Sequence, residues 1–119
     1  MIGRCHCGAV VLDIVLTGVL TTAHRCDCSL CSRRGAIAVS APLNGVKILQ
    51  GAENLTVYQF NTNTAKHWFC KTRGIYTHHQ RRSKPNEYGV NVAILDGINP
   101  CDLGDVPWLD GVNHPSDAR

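Results

Sequence analysis

Long apolar runs are missing from this sequence. No stretch free of Asp, Glu, Lys and Arg is longer than twelve residues, too short to span a bilayer, and that from Ile14 to His24 is interrupted by Gly18 and several threonines. The opening Met1-Ile2-Gly3-Arg4-Cys5 offers no apolar signal region. Neither a membrane span nor an export signal is supported, and a cytoplasmic, reducing location is the expectation. Aromatic residues are scarce, at 6%, and the lysines do not cluster, so the stacking platforms and basic runs that hold single-stranded nucleic acid are absent. No long window carries an amphipathic helical stripe, which argues against a helical bundle. Ser32 has no histidine at triad spacing, so there is no case for a serine nucleophile. No linker and no internal repeat divides the chain beyond a doubled C-x-C.

What is present points to one compact, mainly β domain of 119 residues. Hydrophobic residues make up 44% against 18% charged, which excludes disorder by composition. Val10, Leu12, Ile14 and Leu16 alternate with Val11, Asp13 and Val15, the period of a half-buried strand. Further strands are expected at Ala36 to Ala41, Val46 to Gln50, Leu55 to Phe60, Lys66 to Cys70, Ile75 to His79 and Val90 to Leu95, separated by Gly, Asn and Pro turns. Helix is expected to be limited to one short turn.

The charge is unevenly laid out behind a net value of +3. Between Arg25 and Lys84 the only acids are Asp27 and Glu53, whereas from Pro85 onward the only base is Arg119. The basic half suits a small anionic ligand better than nucleic acid. It also holds Arg25-Cys26-Asp27-Cys28-Ser29-Leu30-Cys31-Ser32-Arg33-Arg34-Gly35, in which three thiols at C-x-C and C-x-x-C spacing can face one point. A borderline or soft cation such as zinc is the natural occupant, and three thiolates leave one tetrahedral position open, as in a reactive site. Arg33 and Arg34, with Arg81, Arg82 and Lys84 in a later loop, are candidate contacts for carboxylates, because guanidinium meets carboxylate through two parallel hydrogen bonds.

The chain contains seven cysteines, an odd number that cannot pair fully, and in a reducing compartment they read as ligands or reactive thiols. Cys5 and Cys7 form a second C-x-C, and Cys70 lies far along the chain, so these three can meet only through the fold. The residue at C-x-x-C spacing from Cys70 is Arg73, which cannot ligate a metal. His67, His6, Cys101 or water are the alternatives for a fourth ligand, and an empty set of reduced thiols is another. His78 and His79 are adjacent in an extended segment, so at most one of them faces a given site.

Gly3 through Val10, the Cys26 to Gly35 stretch, His67-Trp68-Phe69-Cys70 with Gly74, the Arg82-Ser83-x-Pro85-Asn86 loop and Val90-Asn91-Val92-x-x-Leu95-Asp96-Gly97 together resemble the glutathione-dependent formaldehyde-activating enzyme family, relatives of centromere protein V. The resemblance runs in order along nearly the whole chain and implies that residues 1–119 form one such domain. It implies a β-tent fold of antiparallel sheets, a structural zinc at Cys5, Cys7, Cys70 and a fourth cysteine, and a second zinc at Cys26, Cys28 and Cys31. The chain departs from this pattern at Arg73, where the family carries its fourth structural cysteine. The implied activity is that of a carbon–sulfur lyase acting on glutathione, as co-substrate, and formaldehyde to give S-hydroxymethylglutathione, or on a related thiol–aldehyde adduct. Cys26, Cys28 and Cys31 would then be the catalytic set, and Arg33, Arg34 and Arg82 would hold the carboxylates of glutathione. A reading from another class is a non-catalytic zinc-binding module for a thiol ligand, a protein or a nucleic acid. The expected partners are a small thiol and an aldehyde, with no membrane, and homo-oligomerisation is left open.

Overall fold

A computed structural model describes residues 1–114. Among the described residues ten strands form three sheets, and one short α-helix lies outside them. The largest is antiparallel, with β4 (Ala38–Pro42), β9 (Glu87–Asn91), β8 (Tyr76–Gln80), β7 (Lys66–Cys70) and β6 (Leu55–Tyr58) side by side in that order. A second sheet joins β1 (Ile2–Arg4), β2 (Val11–Ile14) and β5 (Val46–Gln50). The third is a two-residue parallel pairing of β3 (Arg25–Cys26) with β10 (Trp108–Leu109). Helix α1 spans Ser29–Arg34. The mainly β architecture expected from the alternating patterns is the one adopted.

The alternation works as the period of two requires. Leu12 and Ile14 are fully buried while Asp13 and Val15 face outward. They pack with Val10, Val39, Ala41, Val90 and Val92 into one core that also takes in Cys5 and Cys70. Gly3 sits where a side chain would press on Ile14 and Ile94, so the first strand lies close against this core.

Several boundaries differ from expectation for identifiable reasons. The segment expected as a strand from Val90 to Leu95 leaves the sheet at Asn91, whose side-chain oxygen accepts the amide of Ala93 at 3.0 Å and turns Val92–Ile94 into a 3-10 turn. Its amide also donates to the Tyr76 carbonyl at 2.8 Å, so this strand asparagine is a buried hydrogen-bonding residue. Pro42 is the last residue of β4, a position where its missing N–H costs little. The pairings of Ile2–Arg4 and of Trp108–Leu109 carry too little local pattern to be seen in the sequence.

Candidate metal centre and its cavity

The central thiols stand where β3 passes into α1. Cys26 ends β3, Cys28 is the N-cap of α1 and Cys31 lies in its first turn. The Cys28 sulfur accepts the Cys31 amide at 3.3 Å, so a thiol takes the part that Ser or Asp usually plays at a helix start. Gly35 ends the helix in the left-handed region, with φ of 69°, and its amide closes on the Cys31 carbonyl at 2.9 Å. Residues three apart share a helix face, so Cys28, Cys31 and Arg34 form one stripe while Arg33 is turned away. The structure bears this out. Arg34 donates to the Cys31 sulfur at 3.4 Å and lines the thiol cavity, whereas Arg33 donates to the Ser29 carbonyl at 2.7 Å and lines a different groove.

The sulfurs of Cys26, Cys28 and Cys31 lie within 4.8 Å of one another. Sulfurs on a tetrahedral zinc are about 3.8 Å apart, given Zn–S bonds of about 2.3 Å, so this set fits such an ion with small adjustments. The thiols also share protons. Hydrogen bonds from Cys26 and Cys31 hold Cys28 well below its usual thiol range and push the two donors up. A cation entering the cluster displaces the protons the thiols carry.

The cluster opens into a cavity of about 280 Å³. Opposite the thiols, β7 and β8 contribute His67 and His79, which are cross-strand partners with ring centroids 5.1 Å apart. Their neighbours Trp68 and His78 stack at 4.8 Å on the other side of the sheet, so of the two adjacent histidines only His79 lines the cavity. The register of β8 shifts here. Trp68 pairs with His78 but Phe69 pairs with Tyr76, which leaves Thr77 as an extra residue and puts Tyr76 among the cavity residues with His79. The Tyr76 hydroxyl meets His79 Nδ1 at 2.5 Å, and Gly89 leaves room for that ring, since a Cβ there would come within 2.3 Å of it.

Burial sets the charge of this wall. It lowers His67 to about 4, with Arg34 assisting, and lowers His79 well below the ordinary histidine range. It pushes the Tyr76 hydroxyl up to about 12. Near neutral pH both groups are therefore uncharged, and the tautomer of His79 sets which of them donates in this contact. The positive charge comes from Arg34, Arg81 and Arg82. Arg34 lies 3.6 Å above the Tyr76 ring and reaches His67 Nδ1 at 3.2 Å. Arg81 is paired with Glu87 at 2.9 Å and also contacts His24 and Ser40, while Arg82 donates to the Gly111 carbonyl at 3.0 Å. Sequence reasoning missed His24 and Tyr76 as cavity residues and did not choose between His78 and His79, because strand pairing and register, which no local pattern encodes, decide these positions.

The other cysteine set also assembles. Tight turns after β1 and after β7 bring Cys5, Cys7 and Cys70 together, with Cys5–Cys7 and Cys7–Cys70 sulfur separations of 3.0 and 3.6 Å. Asn54 donates to the Cys70 sulfur at 3.1 Å. Among the described residues no fourth His, Cys, Asp or Glu joins them. His67 is committed to Arg34 in the cavity, Cys101 is exposed beside Asp102, and Arg73 is exposed in the β7–β8 turn. Three thiols fit a cation here but do not close a tetrahedral shell.

Comparison with known proteins agrees with these features. Residues 1–104 match the model of the family described as glutathione-dependent formaldehyde-activating enzyme. The fold is similar to the crystal structure of a Rhodobacter sphaeroides protein, with a TM-score of 0.90 and 65% sequence identity over 92% of this chain and 100% of that one. The chain belongs to the glutathione-dependent formaldehyde-activating enzyme family.

Proposed function

We propose that the protein is a carbon–sulfur lyase that joins glutathione and formaldehyde into S-hydroxymethylglutathione, with zinc held by Cys26, Cys28 and Cys31. The observation that carries this reading is the convergence of three thiols on a cavity lined by three guanidiniums, Arg34, Arg81 and Arg82, against one carboxylate, Asp110. When bound, a zinc ion with three thiolates is a weak Lewis acid, suited to keeping a fourth sulfur as thiolate more than to acidifying water.

The addition forms one carbon–sulfur bond, opens the carbonyl π bond and moves the thiol proton to the carbonyl oxygen. It needs a positioned thiolate beside an electrophilic carbon and little else. Arg82 and Arg34 line the cavity and on this reading meet the carboxylates of the peptide, with the rings of His67 and His79 neutral, so that the positive charge is that of the guanidiniums. Arg33 is a weaker contact on this reading, since its guanidinium is turned to the helix backbone outside the cavity. Adduct formation faster than the spontaneous reaction, abolished in Cys28→Ala and Cys31→Ala proteins that keep their circular dichroism, is the expected result. A rate equal to the uncatalysed one at every concentration would overturn the reading.

A related adduct of a larger aldehyde or thiol is the second reading. One observation favours it: a groove of about 660 Å³, lined by Tyr58, Trp68 and Phe69, shares the Arg34–His67–Tyr76 wall with the thiol cavity.

A further inference from the structure

The segment from Pro107 to His114 lies beyond the residues matched by the family model, yet it forms part of the thiol cavity. Its attachment is unusual. The Arg25 amide donates to the Pro107 carbonyl at 2.9 Å and the Asp27 amide to the Leu109 carbonyl at 3.3 Å. Asp27, between Cys26 and Cys28, accepts the amides of Gly111 and Val112 at 2.7 and 3.2 Å. Arg82 donates to the Gly111 carbonyl from the opposite wall. Gly111 itself lies so close to the thiols that a Cβ there would stand 2.6 Å from the Cys26 sulfur and from the Cys28 Cβ.

Hydrophobic burial contributes little to this attachment. Trp108, Leu109 and Val112 are 60%, 47% and 45% exposed. A segment held mainly by hydrogen bonds and the Arg25–Trp108 contact, with its large apolar side chains about half exposed, opens at lower free energy than the core. We infer that Pro107–His114 is a strap that closes the three-thiol cavity, that Asp27 is the residue positioning it, and that the strap sets which ligands reach the sulfurs by their size. The strap is latched by the loop that carries the thiols, so thiol geometry and cavity access are coupled through one carboxylate. The inference concerns access alone and stands apart from the identity of the thiol or aldehyde.

Thiol alkylation of the reduced full-length protein, mapped by mass spectrometry, tests this without glutathione or formaldehyde. If modification follows the open population, removing two hydrogen bonds in Asp27→Ala speeds N-ethylmaleimide labelling of Cys26 and Cys31 about tenfold, and iodoacetamide labelling by less. Asp27→Asn loses the same charge but keeps the acceptor oxygen, and labels at close to the wild-type rate. Gly111→Ala, which displaces the strap sterically, behaves like Asp27→Ala. Cys5 and Cys7 serve as the internal reference, with unchanged rates. The inference is overturned if Asp27→Ala labels no faster, if Asp27→Asn is as fast as Asp27→Ala, or if Cys5 and Cys7 accelerate by the same factor.

Discussion

Arg34 meets three groups at once: the Cys31 sulfur, His67 Nδ1 and the face of the Tyr76 ring. Lysine cannot reproduce this, because the stacking and the paired donors both depend on a planar fork. Second-sphere donors to a metal ligand are typically worth 10–100-fold in affinity, so Arg34→Ala is expected to weaken zinc binding at the Cys26 site by about that factor, measured by chelator competition, with Arg34→Lys recovering only part. Gly89 makes a different kind of prediction. Alanine there drives a methyl into the buried His79 ring, which is stacked on His67 and bonded to Tyr76, so overpacking of about 1–3 kcal/mol is expected in denaturant titration. At this scale the sequence was informative about identity and spacing. It showed which thiols belong together and offered both Arg33 and Arg34, and the helical phase of a six-residue element turns only Arg34 toward the thiol cavity.

The elements that carry the site are short, and their ends matter more than their interiors. Helix α1 starts on one cysteine and closes on the carbonyl of another, so it is as much a ligand loop as a helix. The turn after β7 is the corresponding device at the first cysteine set, with Cys70 at its start and Arg73 exposed on it. Arg73→Cys places a fourth thiol at C-x-x-C spacing from Cys70. Because a ligand that binds only the folded state stabilises it by mass action, this variant is expected to unfold at higher temperature than wild type when zinc is present and to lose the advantage in excess chelator. The strands were most legible where one face is buried and the other wet, as in β2, where Leu12 and Ile14 are buried and Asp13 is exposed. What escaped was β10, which has two residues and no alternation to display, and the extra residue in β8 that brings Tyr76 to His79.

The whole molecule decides how protonation couples to stability. His78 is buried against Trp68 and Tyr88, away from the thiol cavity, and burial lowers it from 6.5 to about 4. The unfolded chain therefore binds a proton at this residue below pH 6.5 that the folded chain refuses until about pH 4. Its contribution is fully present above pH 6.5 and is lost as the pH falls toward 4, with a slope of up to about 1.4 kcal/mol per pH unit. His78→Phe, which keeps an aromatic ring against Trp68, is expected to flatten that slope by about one proton in denaturant titrations at pH 5 and 7.

By itself the sequence determined the chemistry available: three thiols at ligand spacing, a basic half around them and alternating strands to carry both. Those features are local, and residues a few positions apart have little freedom over what they can do together. The tertiary structure alone decided what faces the thiols. His67, Tyr76, His79 and Arg82 arrive from other strands and a loop, and Gly111 from the far end of the chain, because sheet register and a two-residue pairing put them there. Cys70 likewise meets Cys5 and Cys7 only because the strands preceding each turn pack on one core.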